Sequence, residues 1–169
     1  GIQVYFYKKD WPSLALGDVV GILGELSESN NELRLKVANK EDIVPLYKDE
    51  PPIPALTETG SVNESTEGAL IEVVGELIEK KGTSWYLDDG TGEVKITFQP
   101  SAKIKKPQAD AGEWVSIVGL VGETRSGYRV LPRYQEDVQI IDASEVPTKD
   151  KGLILGADLS SDGIQRFRI

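Results

Sequence analysis

The chain has 169 residues, with 28 Asp and Glu against 19 Lys and Arg, for a formal net charge of -9. It contains no Cys, His or Met, which excludes disulfides, thiolate nucleophiles, Cys/His zinc sites, imidazole acid/base catalysis and every Ser-His-Asp arrangement. Hydrophobic residues make up 39% and charged residues 28%, a globular balance, and no apolar run approaches the roughly 20 residues of a membrane-spanning helix, so membrane insertion is not expected.

A chain that starts at Gly1 and lacks Met altogether is expected to have been processed or cut from something longer. The lack of Cys fits a secreted, extracellular or cell-surface location. Residues 1–50 carry 9 acids and 6 bases, 51–67 carry 3 and none, 68–142 carry 12 and 9, and 143–169 carry 4 and 4. This balance argues against nucleic-acid binding by bulk charge alone, which needs clustered Lys and Arg.

Taken in chain order, the elements read as strands. Ile2, Val4 and Phe6 fall on one face of a first strand, with Gln3, Tyr5 and Tyr7 on the other; Val20, Ile22 and Gly24 alternate in a second, and Leu33, Leu35 and Val37 alternate against Arg34 and Lys36 in a third. Ser29-Asn30-Asn31 suits a hairpin turn between the last two. Residues 50–67, EPPIPALTETGSVNESTE, read as a semi-extended linker, with Asn63-Glu64-Ser65 a formal glycosylation acceptor. Beyond it come strands at Ala69–Glu79 and Thr83–Leu87, the turn Asp88-Asp89-Gly90-Thr91-Gly92, and a strand at Glu93–Phe98. A weak helical segment follows between Pro100 and Ala111, interrupted by Pro107, and then strands at Trp114–Val121 and Tyr128–Leu131.

A shift of 95 lays GDVVGILGELSESNNELRLKVANKEDI, from Gly17, over GEWVSIVGLVGETRSGYRVLPRYQEDV, from Gly112, without a gap. Gly17/Gly112, Val20/Val115, Ile22/Ile117, Gly24/Gly119, Glu28/Glu123, Arg34/Arg129, Glu41/Glu136 and Asp42/Asp137 coincide, and the apolar positions keep their phase. A shift of 92 also lays Ile2, Val4 and Phe6 over Val94, Ile96 and Phe98. The chain writes one module twice. Five strands with a short helix between the third and fourth is the order of an OB-fold barrel, so the expected fold is all-β, two OB-fold-like five-stranded barrels in tandem. The expected domains are a partial barrel over 1–49, the linker, a complete barrel over 68–142, and a tail over 143–169.

By register, the first copy lacks its first two strands. The tail KGLILGADLSSDGIQRFRI offers two short strands, Leu153–Leu155 and Ile164–Ile169, joined across Ser160-Ser161-Asp162-Gly163. Three outcomes stay open: the tail closes the first barrel of its own chain, closes that of a neighbour, or begins a third module.

YLDDGTGEVKITF, the Gly-Glu start to the fourth strand and GYRVLPRYQEDV together resemble nucleic-acid-binding OB-fold domains of the anticodon-binding and single-stranded-DNA-binding type. Modules similar to these recur in tandem in secreted multidomain bacterial proteins. The resemblance covers residues 68–142, and 1–46 by way of the repeat. It implies single-strand binding on the outward face of the second, third and fifth strands, where aromatics stack on bases and cations meet phosphates. In the second copy Trp85, Leu87, Val94, Ile96 and Phe98 form the inward set, leaving Tyr86, Lys95 and Thr97 outward with Arg129 and Arg133 bordering them. In the first copy the corresponding candidates are Tyr5, Tyr7, Lys8, Lys9, Arg34 and Lys36.

No cofactor, metal site or enzymatic activity is expected. Asp158-Leu159-Ser160-Ser161-Asp162-Gly163 opens like a calcium loop, but Ile169 stands where the bidentate Glu belongs. Asp88 and Asp89 point to opposite faces, a poor pair for acid/base work. Two functions compete: a non-catalytic module holding single-stranded DNA or RNA with little sequence preference, and an extracellular structural subunit whose barrels self-associate by β-strand donation into oligomers or filaments.

Overall fold

A computed structural model describes residues 2–29 and 32–146. The readings of the tail strands, of the calcium-like loop and of Asn30-Asn31 lie outside the described residues. The strands are β1 (Gln3–Phe6), β2 (Asp18–Ile22), β3 (Glu25–Ser29), β4 (Glu32–Val37), β5 (Ile43–Lys48), β6 (Ala55–Leu56), β7 (Leu70–Lys81), β8 (Ser84–Asp88), β9 (Glu93–Thr97), β10 (Trp114–Thr124), β11 (Gly127–Leu131) and β12 (Val138–Ile141). Among the described residues no helix is long and apolar enough to cross a membrane.

The second module closes because its alternating strands have only one apolar face each to hide. β7 pairs with β8, β8 with β9, β9 in parallel with β11, β11 with β10, and β10 back with β7. This five-stranded ring is the OB-fold barrel. Its interior is filled by Ile71, Val73, Leu77, Trp85, Leu87, Val94, Ile96, Phe98, Val115, Ile117, Val121 and Val130, the inward set that period-two alternation requires. Trp85 meets Phe98 edge-on at 5.1 Å.

The first module repeats the register of the second along β3–β4 and from Val20 to Ile22 of β2, with a bulge at Val19/Val20 that β10–β12 lacks. Leu26↔Leu35, Ser27↔Arg34 and Glu28↔Leu33 on β3–β4 become Val121↔Val130, Gly122↔Arg129 and Glu123↔Tyr128 on β10–β11, each shifted by 95. Ile22↔Ile43 becomes Ile117↔Val138, and the parallel pair Val4↔Leu35 becomes Ile96↔Val130. Two repeated glycines have a backbone reason. Gly17 and Gly112 both hold positive φ, 87° and 94°, which a side chain resists. A Cβ on Gly24 or Gly119 would lie 2.6 Å from the Lys36 carbonyl oxygen or 2.8 Å from that of Leu131, the same place in each copy.

Among the described residues one barrel closes; the first module, expected to lack its first two strands, stays open. β1, β4 and β3 form a three-stranded sheet and β2 and β5 a two-stranded one, around a small core of Phe6, Val37 and Ile43. Nothing described stands where β7 and β8 stand in the other copy. The helix expected between the third and fourth strands is also absent. Pro100–Ala102 make one 3-10 turn that ends at Lys103 in left-handed geometry, and Pro107 removes the donor a continuing helix would need.

Within 50–67, β6 runs parallel to the start of β7. Thr59, 1% exposed, is clasped to the β8–β9 turn: its hydroxyl donates to Asp89 at 2.7 Å, and the Gly60 N–H donates to the Thr91 hydroxyl at 2.9 Å. That stretch is held against the barrel, as a buried polar side chain must be by its hydrogen bonds.

Candidate nucleic-acid interface

Alternation along β8 and β9 turns Tyr86, Lys95 and Thr97 outward while Trp85, Leu87, Val94 and Ile96 fill the barrel. Tyr86 sits directly across from Lys95, and Ser84 across from Thr97 with their hydroxyls 3.5 Å apart. β11 lies beside β9 with Val130 opposite Ile96, which places Arg129 on the same outer face. Its cross-strand neighbour on β10 is Gly122.

Arg133 is differently employed. Its Nε and Nη2 donate to the two carboxylate oxygens of Asp137, each at 3.0 Å, and its N–H and that of Tyr134 donate to Asp137 as well. Burial opposes ionisation of Asp137, but these bonds and the Arg133 charge outweigh it and hold the carboxyl below its ordinary range. A bidentate pair with both fork arms engaged fixes the exit of β11.

In the first module Tyr5 faces Lys36 and Gln3 faces Arg34. The Arg34 guanidinium lies 4.3 Å over the Tyr5 ring, and its Nε donates to the Ser27 hydroxyl at 3.1 Å. The pair is an aromatic already stacked by a cation. Tyr7 and Lys9 lie past the end of β1, Lys9 in left-handed geometry at φ 55°. Lys8 donates to Asn39 at 3.3 Å.

A basic rim escapes the strand-by-strand reading. Five of the nine cations in 68–142 are Lys80, Lys81, Lys103, Lys105 and Lys106. The fold brings their two segments together: Lys80 donates to the Ala109 carbonyl, and Lys106 donates to the Gly82 carbonyl at 2.7 Å while lying 5.7 Å over the Phe98 ring. The rim therefore sits at the β7–β8 turn, next to the Ser84/Thr97 end of the candidate face. The available signal was Lys80-Lys81 and Lys103-x-Lys105-Lys106, two short clusters in different segments.

The opposite sign gathers elsewhere. Carboxylate oxygens of Glu64, Glu67 and Glu123 lie within 4.8 Å of one another, the one such group of three found among the described residues. The Tyr128 hydroxyl donates to Glu64, and that bond, with the three nearby carboxylates, pushes its pKa up to about 12. At the β8–β9 turn, burial works against the Asp89 charge, but hydrogen bonds from Thr91 and Thr59 prevail and lower its pKa.

The two modules meet at a cleft of about 320 Å³ lined by Ile2, Val4 and Leu33 on one side and Leu120, Val121 and Leu131 on the other. Leu120 and Leu131 face each other on the outside of the barrel, where the first copy has the charged pair Glu25 and Lys36.

No family model and no curated protein matches the chain. Solved structures similar to it include the S. pombe Stn1-Ten1 complex, at 19% identity over 56% of this chain and 81% of that one with a TM-score of 0.41. An OB domain from Methanosarcina mazei is similar at 24% identity, over 56% and 88%, with a TM-score of 0.42. A domain of replication protein A from Methanococcus maripaludis is similar at 14% identity, over 52% and 97%, with a TM-score of 0.39. Strand order and closure by themselves make the second module an OB-fold barrel.

Proposed function

We propose that the chain is a non-catalytic nucleic-acid-binding module that holds single-stranded DNA or RNA with little sequence preference, on the outer face of β8, β9 and β11. The observation that carries this reading is Tyr86 set across from Lys95 on a closed barrel, with Arg129 on the adjoining strand. An aromatic face accepts any base by stacking, and the flanking cations meet the phosphates on either side. The lysine rim at the β7–β8 turn extends the positive path, and it lets an acidic chain bind an anion locally. Tyr5, Arg34 and Lys36 offer a second patch of the same composition in the first module.

The test is titration of a labelled mixed-sequence single-stranded oligonucleotide at low and moderate salt. Tyr86→Ala should weaken binding about tenfold, in line with roughly 1–3 kcal/mol per stacked base. Arg129→Ala should weaken it and reduce the salt slope by about 1. Absence of binding at low salt, or indifference to both substitutions, rejects the face.

A further inference from the structure

Charge on the candidate face is sorted along one oblique line. The β7–β8 turn and its lysine rim stand at one end of β8 and β9, and the Asp88–Gly92 turn stands at the other. β11 runs parallel to β9, so the β10–β11 turn with its exposed Arg125 lies at the Asp88–Gly92 end. The cations therefore cross the face obliquely, from Lys81 and Lys106 past Lys95 beside Tyr86 to Arg129 and Arg125.

Carboxylates occupy the corner that this line leaves. Glu76 is directly opposite Asp88, and Asp88 directly opposite Glu93, so three acids stand in one row across β7, β8 and β9. The row lies two residues beyond Tyr86 and Lys95, about 7 Å along the strands. Glu79 stands opposite Tyr86 itself, one strand away at about 5 Å. Like charges set directly across strands destabilise a sheet, so the row is a cost to the fold. Asp88 offsets part of it, because its carboxylate accepts from the Gly90 and Gly92 N–H groups at 2.7 and 3.3 Å. Glu79 and Glu93 are exposed. On the other flank of the line Leu120 and Leu131 face each other and carry no charge.

We propose that Glu79 and Glu93, backed by Glu76 and Asp88, are specificity-determining residues that confine the face to a single strand and turn a duplex away. The inference rests on the single-strand reading of this face and names what the face refuses. A single strand carries one line of phosphates, which the oblique cations match. A duplex carries two, separated by grooves about 6 and 12 Å wide. With one line over Lys95 and Arg129, the second falls over the acids on one flank or over the leucines on the other. The first placement is repelled and the second gains nothing. Discrimination by like charge against the wrong ligand leaves the right one its full contact.

The test titrates the full chain at low salt with a labelled single strand of about 15 nucleotides and with the blunt duplex of the same sequence. The unaltered chain should hold the single strand at least about tenfold more tightly. Glu79→Gln with Glu93→Gln should tighten duplex binding about tenfold and single-strand binding no more than about threefold. Glu41→Gln with Glu50→Gln removes the same two charges from the first module and should leave the preference unchanged. A preference that narrows equally in both double variants, or in neither, overturns the assignment. So does duplex binding as tight as single-strand binding in the unaltered chain while Tyr86→Ala still weakens the single strand; the face then stands without this selectivity. If the single strand fails to bind at low salt, or ignores Tyr86→Ala, the face itself is rejected and the role of the acids with it.

Discussion

The two copies of the module share their register and differ in what the register accomplishes. Ile117 and Ile22 hold equivalent places, opposite Val138 and Ile43, yet Ile117 is fully buried and Ile22 only half-buried. Pairing along β10–β11 and β3–β4 is a local matter settled by turn and alternation. Burial is a matter of closure, and closure needs β7 and β8. The comparison separates the information that orders strands from the information that dries a core.

The largest test of that separation is the pair Ile117→Ala and Ile22→Ala. Truncation in the closed barrel should cost about 3–4 kcal/mol, because the cavity is surrounded on every side. The same change in the open module should cost about 1 kcal/mol, since water already reaches the site. Denaturant unfolding reports both modules separately, Trp11 for the first and Trp85 with Trp114 for the second. Equal losses would mean that the open module is as dry as the closed one.

The repeated acidic residue at the 3-10 turn gives a second contrast. Asp137 is buried and accepts four hydrogen bonds from Arg133 and Tyr134. Among the described residues Asp42 accepts from Asn39, through its N–H at 2.9 Å and its amide at 3.4 Å, with Ala38 standing where Arg133 stands. Asp137→Ala should cost about 3 kcal/mol, since it strands a guanidinium and two N–H groups. Asp42→Ala should cost about 1 kcal/mol, the worth of a cap.

Acid should unmake the same contacts. The carboxyls of Asp89 and Asp137 have folded pKa values depressed below the ordinary aspartate value. Their contribution is therefore complete above about pH 4 and is lost as pH falls through the folded values. Stability of the closed barrel measured by denaturant between pH 6 and pH 2 should fall along this limb. Asp89→Asn should make the fall shallower, and an unchanged slope would remove Asp89 from the account.

Alternation and the 95-residue shift made most strands, the phase shared by the two copies and the inward set Trp85, Leu87, Val94, Ile96 and Phe98 legible, because these are local patterns, whereas β5, β6 and β12 went unread. The outward placement of Tyr86 and Lys95 followed from the same parity. What stayed hidden depends on contacts between distant segments. Nothing near Arg133 in the sequence distinguishes a phosphate ligand from a cation engaged by Asp137, four residues on. The lysine rim forms only when residues 103–106 fold back on the β7–β8 turn, as the Lys106 to Gly82 bond shows. Likewise the Pro-rich stretch reads as a spacer until Thr59 is seen buried against Asp89.

The substitution of Glu25 and Lys36 by Leu120 and Leu131 between the copies yields the smallest effect and the sharpest diagnosis. On an outward β face a charged cross-strand pair is ordinary, and two leucines in its place call for a neighbour. That neighbour is the first module, through Ile2, Val4 and Leu33 across the cleft. Restoring the charged pair with Leu120→Glu and Leu131→Lys together should leave the barrel's stability within about 0.5 kcal/mol, because a surface pair contributes little either way. It should nevertheless perturb the methyl resonances of Ile2, Val4 and Leu33, which belong to the other module. If those methyls stay put while the barrel loses stability, the two leucines serve the barrel alone and the modules are joined only by the chain between them.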